Sequence, residues 1–172
     1  LRLLESEGSS SQENLVYLEK KGKETLAEII KLMGLKATIE IKRSENREEI
    51  FLNIRGENGG LLIGRRGQTL EALQYLLGRI VCEKQEKTYP ILIVDTENYR
   101  ERRKKTLEDM ALHLGEKAKR GRESVSIDFL SARDRRIIHL ALQDDPWVTT
   151  KSQGSGLYRR LLIVPEGDRK RI

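Results

Sequence analysis

The chain has 172 residues, enough for one large domain or two small ones. Its 33 Lys and Arg outnumber 27 Asp and Glu for a formal +6 at pH 7, which points to a polyanion, either nucleic acid or an anionic membrane surface. One cysteine (Cys82) and two histidines (His113, His139) exclude a disulfide framework and an ordinary structural zinc site, and no apolar run approaches the ~18 residues of a membrane span.

Leu1 to Ser11 has no apolar stretch long enough for a secretory signal, and the chain starts on Leu, so a fragment of a longer, soluble, cytoplasmic protein is expected. Residues 1–14 are polar and Ser-rich and read as a tail. Leu15, Leu18, Gly22, Leu26, Ile29 and Met33 recur in steps of three and four, one face of a helix that Gly34 ends. Ala37, Ile39 and Ile41, then Ile50, Leu52 and Ile54, alternate with polar residues around the charged turn Ser44 to Arg47, the pattern of a hairpin. Gly56 to Gly67 is glycine-rich with room for one helical turn. Leu70, Leu73, Leu77 and Ile80 mark a helix from Gln68 to Glu83, and the run Ile91 to Val94 marks a buried strand.

Asp95 or Thr96 can cap a long polar helix with the stripe Leu107, Met110, Leu114, Ala118, ended by Gly121. Val125 and Ile127 suggest a strand. Ser131 and Asp134 match a capping box ahead of a helix to about Gln143, which Pro146 breaks. Trp147 to Ser152 and Leu157 to Val164 flank Gln153-Gly154-Ser155-Gly156 as a second hairpin. The reading is α+β in two small domains, α-β-β-α-α-β over residues 15–95 and α-β-α-β-β over 96–165, with a charged tail at 166–172. Residues 1–95 carry 15 basic and 15 acidic side chains, and residues 96–172 carry 18 and 12, so the second half holds all of the net charge.

Two motifs carry chemistry. In Ile63-Gly64-Arg65-Arg66-Gly67, two glycines let the main chain approach a phosphate, the following helix aims its N–H groups and positive dipole end at it, and Arg65 and Arg66 add charged donors. A nucleotide P-loop is excluded, because Arg65 and Arg66 stand where Lys and Ser or Thr are required. The second motif is Arg135-Arg136-Ile137-Ile138-His139. On a helical wheel His139 lies about 40° and Arg136 about 100° from Arg135, while Ile137, Ile138, Leu140, Ala141 and Leu142 fill the opposite arc. Arg135 would hold phosphate, and His139 would hydrogen-bond or stack. Lys151, Arg159 and Arg160 on the following hairpin extend the patch, with strand register open. The run Arg100 to Lys105 reads as a solvated helix face, His113 as structural or solvated, and Trp147 and Tyr158 as hairpin packing. No Ser/His/Asp set, paired carboxylates or metal cluster points to an enzyme, and no cofactor or metal is expected.

The Ile-Gly-x-x-Gly loop between helices resembles the KH domain, which clamps about four single-stranded nucleotides. The Arg-x-x-x-His helix, within Arg135 to Pro146, resembles the R-three-H domain. Together, over about Lys20 to Pro165, they resemble the bacterial Jag family. That resemblance implies a non-enzymatic, cytoplasmic regulator that binds single-stranded RNA (or single-stranded DNA) and is linked to cell elongation, division or sporulation. It also implies a small N-terminal Jag domain that is absent here, and a small single-KH protein and the YidC/Oxa-type membrane insertase as partners. An adaptor at that insertase, acting mainly through protein contact, is the alternative.

Overall fold

A computed structural model describes residues 4–43, 49–82, 90–156 and 159–166. The turn Ser44 to Arg47, Leu157, Tyr158 and most of the charged tail lie outside them. The chain divides into two compact units, residues 1–99 and 100–172.

In the first unit the elements are α1 (Leu4–Leu32), β1 (Ala37–Arg43), β2 (Glu49–Gly56), α2 (Gly59–Ile63), a single 3-10 turn (Arg65–Gly67), α3 (Gln68–Val81) and β3 (Ile91–Thr96). The segment Leu4 to Asn14, expected as tail, is therefore helical. Once Leu18, Leu26 and Ile30 anchor the helix in the core, each further residue adds a hydrogen bond without a new nucleation cost, and propagation continues into the polar stretch. Among the described residues the sheet order is β1-β2-β3, with β1 antiparallel and β3 parallel to β2. Ile50, Leu52 and Ile54 alternate inward on β2, and Leu92 and Val94 do so on β3.

Three expectations need correction here. Ile91 is 60% exposed, so β3 is buried on one face only, unlike the fully buried strand its continuous apolar run suggested. The last inward residue of α3 is Val81, while Ile80 is exposed. Met33, at the end of the α1 stripe, is also exposed. In each case helices cover one face of the layer, and runs of apolar residues cannot say which member turns outward.

The second unit holds α4 (Tyr99–Gly121, beginning one residue earlier), β4 (Val125–Ile127), α5 (Ala132–Leu142), β5 (Val148–Gln153) and β6 (Arg160–Pro165), with sheet order β4-β6-β5, all antiparallel. Neither Asp95 nor Thr96 caps α4. Thr96 is the last residue of β3, its hydroxyl donates to the Ile54 carbonyl at 2.9 Å, and Glu97 and Asn98 turn the chain with positive φ before the helix begins. Leu107, Ala111 and Ala118 of α4, Ile138 and Leu142 of α5, Val148, Leu161 and Ile163 form the core.

Two ion pairs tie α4 into this unit. Arg103 donates to the buried Asp134 carboxylate at 2.7 Å, so it is not part of a solvated face. Lys119 meets Glu116 at 2.6 Å and Asp145 at 2.9 Å. Burial pushes the Asp145 carboxyl up, but hydrogen bonds from Lys119 and the Trp147 N–H outweigh it and hold the group below its ordinary range. The hydrogen bonds to Glu116 and Asp145 raise Lys119 in turn.

Candidate nucleic-acid interface

The glycine loop of the first unit has geometry that only glycine supplies. Gly64 has φ 70° and Gly67 has φ 86°, both left-handed. A Cβ on Gly64 would strike the Thr69 side chain and come within 3.0 Å of its backbone nitrogen. One on Gly67 would sit 2.7 Å from a ring carbon of Tyr99. The Gly64 N–H donates back to the Gly60 carbonyl at 2.9 Å and closes α2. Between the glycines Arg65 and Arg66 are exposed, and Arg66 has φ 56°. Ile63 is half-buried beside them. Gly67 is the N-cap of α3 and provides no side-chain cap, the Gln68 N–H donates back to the Arg65 carbonyl, and Glu71 stands in the first turn of the helix. Tyr99, which backs Gly67, was not singled out from sequence because it stands 32 residues further on.

In the second unit α5 and β5 form an open groove lined by Arg133, Arg135, Arg136, His139, Thr150 and Arg159, with no carboxylate among its lining residues. Ser131 caps α5 by accepting from the Asp134 N–H at 3.1 Å. The expected box is only half made, because the Asp134 carboxylate turns to Arg103 instead of back to the cap. Arg135 donates from Nη1 to the Leu130 carbonyl at 2.9 Å, which fixes one edge of its guanidinium. His139 Nδ1 lies 2.6 Å from the Thr150 hydroxyl, which leaves Nε2 as the nitrogen open to a ligand.

Arg135, Arg136 and His139 thus come together as expected, and Arg159 joins them. Lys151 does not. On β5 it alternates with Thr150 and Ser152, which line the groove, so it occupies the other face of the strand. Arg160 turns to Asp128 at 3.5 Å. Arg133 was missed because it falls on the apolar arc of the wheel, yet in the first turn of α5 it is exposed. His113 is exposed on α4, apart from this groove. Among the described residues no cluster of His, Cys, Asp and Glu could hold a metal, and no helix is long and apolar enough to cross a membrane.

A glycine loop between helices in one unit and an arginine- and histidine-lined groove in the next fit a KH domain followed by an R-three-H domain, two domain types that bind single-stranded nucleic acid. Residues 23–93 match the KhpA/KhpB KH domain, and residues 105–165 match the R-three-H domain. The chain belongs to the KhpB family, the Jag family of the motif resemblance. It is 40% identical over 154 residues to RNA-binding protein KhpB of Clostridium symbiosum, covering 90% of this chain and 69% of that one. It is 35% identical over 121 residues to its namesake in Bacillus subtilis, covering 69% and 58%. The namesake in Lactiplantibacillus plantarum is 29% identical over 139 residues, and the chain spans 42% of its length.

Proposed function

We propose that the chain binds single-stranded RNA at two linked sites and acts as a post-transcriptional regulator without catalysis. The loop from Ile63 to Gly67 clamps the backbone through main-chain N–H groups and the two arginines. The groove of Arg135, Arg136 and His139 makes a second contact. The observation that carries this reading is the loop itself. Both its glycines are required by φ and by space, and it presents two exposed arginines at the start of α3, where Gly67 gives no side-chain cap. The name of these relatives, RNA-binding protein KhpB, supports the choice of RNA. Cytoplasmic residence, a link to elongation, division or sporulation, and partnership with a small single-KH protein or the insertase extend the proposal through family resemblance. Sequencing of RNA and identification of proteins crosslinked to the chain in cells test these.

The direct test replaces Arg65 and Arg66 together by Asp. Affinity for a labelled single-stranded RNA should fall by about tenfold or more, and the slope of log affinity against log salt should shrink by about 1.4, two contacts at ~0.7 each. Circular dichroism should be unchanged, since both side chains are exposed. A folded double variant with wild-type affinity would refute the clamp. The same titration with single-stranded DNA reports whether the ribose hydroxyls are read.

A further inference from the structure

We propose that Tyr99 and Glu97 are positioning residues for the glycine loop, which keeps its RNA-gripping shape only while the turn that leaves β3 braces it. The inference rests on the RNA-binding reading above. Gly64 and Gly67 permit the left-handed turns of the loop, with φ 70° and 86°. They do not impose them, because glycine visits either sign of φ about equally and loses more freedom than any other residue when it is fixed. A loop that meets its ligand ready formed needs its shape defined from outside, and that definition lowers the cost of binding.

Tyr99 supplies it at one end. The space that a Cβ on Gly67 would take is bounded by the Tyr99 ring, with Cε1 at 2.7 Å, the hydroxyl oxygen at 3.0 Å and Cζ at 3.2 Å. Gly67 is buried, and the ring packs against the core of the first unit. Glu97 stands at the other end. Its carboxylate lies against Gly59, the buried first residue of α2. Asn58, the N-cap of that helix, makes no side-chain cap, so Glu97 brings the negative charge that a helix start favours. The last turn of α2 in turn holds the near side of the loop, where the Gly64 N–H donates to the Gly60 carbonyl.

The turn that delivers both side chains is itself fixed. Thr96 ends β3 opposite Ile54 and donates its hydroxyl to the Ile54 carbonyl at 2.9 Å. Glu97 and Asn98 then both take positive φ, 54° and 52°. Left-handed backbone is costly for a glutamate and persists where the surroundings over-determine it. Here it lets Glu97 and Tyr99 reach the start of α2 and the start of α3, the two helices between which the loop is strung.

The test is binding of the full chain to a labelled oligoadenylate, run as a cycle with the Arg65→Asp, Arg66→Asp double variant. Tyr99→Leu keeps the side chain as far as Cδ and deletes the ring atoms that reach Gly67. It should weaken binding about 5- to 30-fold, the cost of fixing one freed residue's backbone on binding. Tyr99→Phe, which retains Cε1 and Cζ, should restore the affinity. In the double variant the loop no longer grips, so Tyr99→Leu should cost nothing further there. Low salt keeps the residual binding measurable, and circular dichroism reports the fold. Wild-type affinity in a folded Tyr99→Leu, or an equal loss in both backgrounds, overturns the brace while the clamp stands. If Tyr99→Leu does not fold, Glu97→Asp decides, since it keeps the charge and draws the carboxylate back from Gly59. Affinity should then fall about 2- to 5-fold at the same salt slope, and an unchanged affinity refutes the proposal. If the double variant itself binds like wild type, the clamp reading fails and takes the brace with it.

Discussion

His139 has two ring nitrogens, and the Thr150 hydroxyl occupies one of them at 2.6 Å. That contact sets which way the ring faces and, in the proposed site, leaves Nε2 for the ligand. Thr150→Val keeps the shape and removes the hydroxyl, so the ring loses its orientation. RNA affinity should drop about 2- to 10-fold, the worth of one ordinary hydrogen bond, while Thr150→Ser should restore it. Fluorescence anisotropy on the three proteins checks this, and equal affinity in all of them would mean that His139 does not act through a fixed ring. Arg135 is arranged similarly, with one edge spent on Leu130. A lysine there would keep the charge but could not hold the carbonyl and a phosphate in one fixed plane.

The helices were legible wherever a stripe met one core, and residues that line the groove were legible as neighbours wherever they shared a helix. Arg135, Arg136 and His139 could be placed together because a few residues of one helix fix their mutual angles. Lys151 could not, because which face of a strand a residue takes depends on register set by β6, and a one-residue shift exchanges the faces. Arg103 was misjudged for a related reason. Its partner Asp134 is 31 residues away, and nothing in the run Arg100 to Lys105 distinguishes the one arginine that turns inward. Its pairing carries a consequence for α4 and α5. Asp134→Ala would leave the Arg103 guanidinium, 22% exposed, without its buried counter-charge. Loss of a buried partner costs about 3 kcal/mol at the low end of such cases, and the N-cap of α5 loses nothing directly, since Ser131 accepts from the backbone N–H. Urea denaturation should show that loss in the second unit. A variant of undiminished stability would mean that water serves Arg103 equally well.

Over the whole chain, charge and geometry are divided between the units. Residues 1–95 carry no net charge, so the proposed clamp in the first unit draws on local geometry, through glycine-permitted contact and two arginines. Residues 96–172 hold the full +6, a favourable field for a polyanion at the proposed second site. Joining two modest sites in one chain makes the second contact intramolecular once the first has formed. The parallel pairing of β2 with β3 also has a bearing on the first site. Parallel neighbours need a crossover between them, and here the crossover, from Gly56 to Ile91, contains the loop. A strand of RNA that grips this loop therefore selects the state in which the crossover is closed and β3 is seated. Amide protons of Ile91 to Thr96 that exchange by opening of this unit should slow by the factor 1 + [RNA]/Kd, about 100-fold at an RNA concentration of 100 Kd. Hydrogen exchange with mass spectrometry would read that slowing in β3, and exchange at an unaltered rate would show that the loop can hold RNA while β3 is unpaired.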